Sequence, residues 1–198
     1  MCAASILSDR FLVTAAHCCP HFIKPHIHQI VVGAHSNKEE KYWVKQIFVH
    51  PNYTATPFAK LNNDIAMIQL EEPIKNLGQN TSTIEINREF FDGNVDAVVA
   101  GWGKNEDLGL KYAKMTTITY DECSRRAPPK SPVNYYNTVC AHSTSGKVGL
   151  CFGDGGDPLV QTNNNKLIGV ASWTRGCENG FTRISEFALW IDSIMNKS

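Results

Sequence analysis

The stretch Cys151-Phe152-Gly153-Asp154-Gly155-Gly156-Asp157-Pro158 decides how this chain is read. Gly155 sits at its centre and has no side chain. Covalent acyl transfer needs a side-chain oxygen or sulfur that can attack a carbonyl carbon, and glycine supplies neither. Two upstream segments give the stretch its meaning. Thr14-Ala15-Ala16-His17-Cys18 sets a histidine beside a cysteine, and Asn62-Asn63-Asp64-Ile65-Ala66 opens an apolar run with an aspartate. Each alone says little, since a single histidine is more often structural than catalytic. A histidine, then an aspartate, then a turn-rich loop of this kind is the chain order of a nucleophile with its general base.

With Ala100-Gly101-Trp102-Gly103 and Ser172-Trp173 also in place, the chain resembles the trypsin-like serine peptidases from Cys2 to its last segment. The family's loop reads Gly-Asp-Ser-Gly-Gly-Pro. Here Gly155 stands at the serine and Asp157 at the second glycine after it. The resemblance implies an all-β fold of two packed antiparallel six-stranded β-barrels, with the catalytic groups in the cleft between them and a C-terminal α-helix. It divides the chain into a first barrel over 1–85, lacking the family's first strand, a second barrel over 86–184 and a helix over 185–198.

The resemblance also implies site roles. His17 takes the position of the general base, Asp64 that of the group fixing its tautomer, and Gly155 that of the lost nucleophile. The backbone N–H groups of Gly153 and Gly155 match the oxyanion hole. Gly149 matches the base of the specificity pocket, where a trypsin has aspartate, and Ser172, Trp173, Thr174 and Gly180 match its walls. A β-branched residue at Thr174, glycine in relatives with open pockets, narrows the entrance, and the segment from Cys177 to Phe181 is shorter than usual. The pocket is therefore expected to be remodelled or shut. Disulfides follow as Cys2–Cys18, Cys123–Cys140 and Cys151–Cys177, which spacing alone could not assign. Cys19 is left over, either as a buried inert thiol or as a link to another chain.

Asp154 matches the aspartate that, in active relatives, pairs with an amino terminus freed by cleavage. This chain begins at Met1, immediately before Cys2. A carboxylate buried without its partner costs several kcal/mol. Asp154 is therefore expected to turn elsewhere and leave the oxyanion loop poorly ordered. The absent first strand leaves a barrel edge unpaired, either because upstream residues were trimmed or because the barrel is naturally open. Glu39 and Glu40 do not make the calcium site of some relatives, which needs six or more oxygens, and read as solvated surface. No metal and no cofactor are expected.

The bulk properties agree with this reading. The 198 residues are 42% hydrophobic, enough for a sizeable core. Nineteen Lys and Arg balance nineteen Asp and Glu, so nothing favours nucleic acid or an anionic membrane. No apolar run is long enough to span a bilayer. Seven cysteines favour an oxidising compartment. The sequons Asn52-Tyr53-Thr54 and Asn80-Thr81-Ser82 make Asn52 and Asn80 candidate glycosylation sites. Secretion is expected although Met1 opens no signal peptide.

Short apolar runs broken by turn residues predict strands at Ile30–Val32, Tyr42–Val49, Ile65–Leu70, Val95–Ala100 and Leu167–Ala171. The polar, turn-rich residues 76–94 read as a linker between two β halves. Phe187, Trp190, Ile191 and Ile194 fall on one helical face, with Ser185 as a candidate N-cap and the second half of the fold as the docking surface.

Three functional readings follow. The first is a secreted, inactive peptidase homologue that acts by binding a protein, with a peptidase, an inhibitor or an immune-cascade component as partner. Some such homologues serve arthropod immune cascades, and some parasites use them in immune evasion. The second is a peptidase of latent activity using another nucleophile, with Ser172 or Cys19 as the remaining candidates. The third is a decayed paralogue without function.

Overall fold

The computed structural model describes residues 2–19, 28–33, 39–55, 61–78, 81–103, 109–126, 134–143, 154–175 and 178–197. Strands β1 (Ser5–Ile6), β2 (Phe11–Thr14), β3 (Gln29–Val32), β4 (Glu40–Val49) and β5 (Ala66–Leu70) form one antiparallel sheet in the order β1-β2-β5-β4-β3. Strands β6 (Asp96–Gly101), β7 (Lys111–Ile118), β8 (Thr138–Ser143), β9 (Pro158–Gln161), β10 (Leu167–Arg175) and β11 (Glu178–Arg183) close into a barrel in the order β10-β11-β8-β7-β6-β9. Helix α1 (Tyr120–Arg126) follows β7 and helix α2 (Ile184–Met195) ends the chain.

The apolar pattern explains this arrangement. Strand β5 is buried at all five positions. Its side chains alternate between two cores: Ile68 and Leu70 join Leu12, Val32, Tyr42 and Val44 inside the first sheet, and Met67 points the other way. Such a strand reads as a continuous hydrophobic run because neither face meets water. The second barrel encloses Ala97, Val99, Met115, Val139, Leu159, Ile168 and Phe181. A third cluster joins the halves: Phe11, Val13, Ile65 and Met67 from the first pack with Leu167 and Val170 from the second.

Helix α2 adds Phe187, Ile191 and Ile194 to that joining cluster, so it seals both halves rather than docking on the second alone. The rings of Phe187 and Trp190 each lie 5.0 Å from that of His50 in the first half. Ser185 is not the N-cap. The helix begins at Ile184, and Arg183 holds the cap position with extended backbone and no side-chain cap bond. The Arg183 guanidinium is committed instead to the carbonyls of Phe91, at 2.6 Å, and Thr138, at 3.0 Å.

All five expected strands are present, with ends shifted by a residue or more, and β10 runs on to Arg175. Among the described residues, the first sheet ends at β1 on one side and β3 on the other. The described part of 76–94 forms no strand but threads along both halves. Ile84 N–H bonds Ile6 O at 2.9 Å, and Asn87 N–H bonds Leu167 O at 2.9 Å. Glu40 is more than solvated surface, since its carboxylate accepts from Tyr42 Oη and Asn76 Nδ2.

Candidate active-site cleft

His17 lies in a short 3-10 turn, Ala16–Cys18, at the end of β2. Asp64 precedes β5 and is 1% exposed. Strands β2 and β5 are paired neighbours, so the two residues leave the sheet side by side. Asp64 Oδ1 accepts from His17 N–H at 2.8 Å, and Oδ2 lies 2.7 Å from His17 Nδ1. A carboxylate can only accept, which places the imidazole proton on Nδ1 and leaves Nε2 with a lone pair. Ser172 Oγ donates to the same Oδ2 at 2.5 Å.

Both halves hold Asp64 in place. Thr182 Oγ1 on β11 donates to the Asp64 carbonyl at 2.8 Å. Asn63 carries a left-handed backbone, φ 51°, which asparagine tolerates better than most residues. Its amide donates to Asn52 O at 2.8 Å and accepts from Asn137 Nδ2 at 3.2 Å.

Gly155 faces His17 across the cleft. A β-carbon built on Gly155 would stand 2.5 Å from His17 Nε2, 3.1 Å from Cε1 and 3.2 Å from Cys18 Sγ. The first is well inside van der Waals contact. The imidazole therefore occupies the room that any side chain at 155 would need. Nε2 itself lies 3.7 Å from the sulfur of Cys18.

The loop after Gly155 is bonded to both halves. Ala3 N–H donates to Gly155 O at 2.8 Å, and Gly156 N–H to Ala171 O at 2.9 Å. Gly156 needs its glycine twice over: φ is 86°, and a β-carbon would collide with the Ala3 carbonyl. Asp154 is buried, and its carbonyl accepts from Asp157 N–H at 3.1 Å. Gly153, the other oxyanion-hole position, lies outside the described residues, as do Gly149, Cys151, Cys177 and Asn80.

Asp157, where the family loop has glycine, is 3% exposed. Its carboxyl group fills the space beside Gly101 that any β-carbon at 101 would need. Burial, and then the nearby Asp154, push its pKa up to about 8, so it is a neutral acid at neutral pH.

Strand register pairs Trp173 with Gly180 and Thr174 with Asn179. Gly180 lies beneath the indole of Trp173, which leaves no space for a β-carbon, and that ring packs on Ile118, Cys123 and Cys140. Asn179 is the residue facing Thr174. It is fully buried; its Oδ1 accepts from Thr174 Oγ1 at 3.3 Å and its Nδ2 donates to Ala141 O at 3.3 Å. Counting back from Phe181 by two would have found it, because alternate residues of a strand share a face.

Cys2–Cys18 and Cys123–Cys140 are disulfides. Cys19 is buried, with Sγ 3.8 Å from Ala15 O; burial and then Asp64 push its thiol up to about 12. A thiol held neutral is a poor nucleophile. Ser172 directs its hydroxyl to Asp64, not to His17 Nε2. Cys2, His17 and Cys18 bring their donor atoms within 4.8 Å of one another, but the two sulfurs are bonded together and offer no thiolate to a metal. Among the described residues, no helix is long and apolar enough to cross a membrane. Asn52 is exposed in a turn.

Comparison with known proteins agrees with this geometry. The trypsin family model matches residues 1–191. The vitellin-degrading protease of Bombyx mori is 30% identical over 205 residues, covering 96% of this chain and 75% of that protein. Trypsin of Xenopus laevis is 26% identical over 208 residues, covering 100% of this chain and 82% of that one. Among solved structures, neuropsin of mouse brain superposes with a TM-score of 0.83 at 26% identity, covering 98% of this chain and 88% of its own. The scabies mite inactivated protease paralogue S-D1 gives the same score and identity, with 98% and 87% coverage. The chain belongs to the trypsin family of serine peptidases and their homologues.

Proposed function

We propose that this protein is a secreted peptidase homologue without peptidase activity, and that it acts by binding a protein partner in a proteolytic or immune cascade. The observation that carries the reading is the relation of His17 to Gly155. The general base and its orienting carboxylate are intact, but the nucleophile position has no side chain, and the imidazole fills the room for one. A base without a nucleophile cannot form the covalent acyl intermediate of this family.

The walls of the specificity pocket support the same conclusion. Thr174, at a wall position that the resemblance gives, is the cross-strand neighbour of Asn179 and is hydrogen-bonded to it. Neither remaining candidate nucleophile is placed to serve His17. The likeness to a solved structure described as an inactivated protease paralogue is in keeping with this reading. Two disulfides and an exposed sequon asparagine at Asn52 fit an extracellular protein.

The test is active-site labelling of the purified protein with a fluorophosphonate, alongside hydrolysis of a mixed peptide-substrate library. The expected result is no adduct by intact mass and no cleavage above the rate of the His17→Ala variant. A stoichiometric adduct, or cleavage lost in His17→Ala, would overturn the proposal.

A further inference from the structure

We infer that the surface formed by Phe90, Tyr120, Tyr135 and Tyr136 docks an arginine-bearing segment of a partner protein. This inference rests on the binding reading above and names the surface and the chemistry it would recognise.

On the second half of the fold, three rings gather around that of Tyr135. The centroids of Phe90 and Tyr135 are 5.4 Å apart, those of Tyr120 and Tyr135 5.2 Å, and those of Tyr135 and Tyr136 5.2 Å. Aromatic rings normally cluster to leave water, yet here Tyr136 is 63% exposed, Phe90 49% and Tyr135 37%. None of the four belongs to the cleft around His17. Exposed tyrosine and phenylalanine concentrated in one place are the commonest composition of a protein-binding hot spot.

The rings stand on a fixed floor, which lowers the ordering cost of binding. The Arg183 guanidinium lies 4.5 Å from the Phe90 centroid and 5.1 Å from that of Phe91, while its Nη atoms hold two backbone carbonyls. Tyr120 N–H donates to Asp92 Oδ1 at 2.9 Å, and Tyr136 N–H to Asn134 Oδ1 at 3.0 Å. Segments carrying three of the rings are thus pinned.

Charge selects the partner. Glu89, Asp92, Asp121 and Glu186 are exposed and lie on or next to the segments that bear the rings and Arg183. Asp92 and Glu186 are close enough to Arg183 to interact with it electrostatically. Of the described cations beside these segments, Arg183 is buried, Arg126 pairs with Glu122, Arg88 pairs with Asp192, and Arg125 directs Nε to the Asp121 carbonyl. Among the described residues, the four exposed carboxylates Glu89, Asp92, Asp121 and Glu186 therefore outnumber the cations not paired with another acid, Arg183 and Arg125. Ring faces carry negative potential and attract a guanidinium, which stacks flat on them as an ammonium cannot. The stacking of Arg183 on Phe90 shows the same contact made from below. An acidic rim adds steering toward a basic segment.

The test uses the full chain and short fluorescein-labelled peptides of alternating serine with arginine, lysine or glutamate, read by anisotropy. The arginine peptide is expected to bind saturably, more weakly as salt rises, and several-fold more tightly than the lysine peptide. Tyr136→Ser is expected to weaken it about tenfold or more, and Glu89→Gln with Glu186→Gln to reduce the salt dependence. Unchanged near-ultraviolet circular dichroism will confirm that the variants are folded. Three results would each overturn the inference: no saturation, equal binding of the glutamate peptide, or full binding by Tyr136→Ser. Such a failure with no fluorophosphonate adduct would remove this surface and leave the binding reading intact. An adduct with peptide binding preserved would do the reverse.

Discussion

His17 Nε2 lies 2.5 Å from the point where a β-carbon on Gly155 would stand, so the glycine at 155 and the placement of the histidine are one feature of the site. Restoring the residue does not restore the geometry. Gly155→Ser must push the ring away from its bond to Asp64 or lift a loop bonded to Ala3 and Ala171. Overpacking of this kind costs about 1–3 kcal/mol. We expect Gly155→Ser to unfold at lower urea concentration than the parent and to remain unlabelled by a fluorophosphonate. Rapid labelling of Gly155→Ser would show that the ring yields easily and that only the hydroxyl was missing.

Asp157 sets a pH dependence of stability. Its folded pKa of about 8, raised by burial and then by Asp154, exceeds the ordinary aspartate value of 3.8. The folded state therefore holds a proton that the unfolded chain has released between those two values. Stability is greatest below the unfolded pKa, falls as pH climbs from about 4 to about 8, and levels off above. The steepest slope for one proton is about 1.4 kcal/mol per pH unit. Asp157→Asn keeps the shape and removes the ionisation. Urea midpoints taken from pH 5 to pH 9 should fall for the parent and stay flatter for Asp157→Asn, with the variant's advantage greatest at the alkaline end. Parallel profiles would assign the pH response to other groups.

Much of this was legible in the sequence because it lies in contiguous motifs. His17, Asp64 and the loop at Gly155 are recognised in chain order, and the structure joins the first two at 2.7 Å. The buried strand β5 reads from a run that is apolar at every position but Gln69. What was not legible depends on register and three-dimensional packing. Gly180 and Asn179 are adjacent in sequence but point to opposite faces of β11, and the shortened segment before them hid which one faces Thr174. Ser185 has cap chemistry, but the helix starts one residue earlier because Arg183 ends β11 with its side chain held by Phe91 and Thr138. The docking of α2 across both halves depends on contacts from Phe11 and Met67, far away in the chain. The closing of the nucleophile site by His17 has no sequence signal at all.

Asn179 should matter to stability. It is fully buried, and its amide links the Thr174 hydroxyl to the Ala141 carbonyl. Asn179→Ala leaves a backbone carbonyl on β8 without that donor, and stranding a buried polar group costs about 1–3 kcal/mol. Thr174→Ala withdraws one donor from Asn179 Oδ1 but keeps the bond to Ala141 and the buried side chain, and should cost less. Urea denaturation of the two single variants tests the order. Equal losses would mean that the pair acts through the Thr174–Asn179 bond alone.

Cys19 should behave as an inert thiol in the folded protein. Its side chain is buried, and its pKa of about 12 leaves almost no thiolate at pH 8. The thiolate is the reactive form in alkylation and disulfide exchange. Linking to another chain would also require Sγ to leave its place beneath Ala15 O, where it packs with Ala16 and Ala66. The native protein at pH 8 is therefore expected to resist iodoacetamide for as long as it stays folded and to run as a monomer on a non-reducing gel. The same protein in denaturant should take up the reagent at Cys19, located by peptide mapping, with Cys2–Cys18 and Cys123–Cys140 intact. Fast modification of the native chain, or a dimer that disappears on reduction and in Cys19→Ser, would mean that Cys19 reaches the surface and joins two copies there.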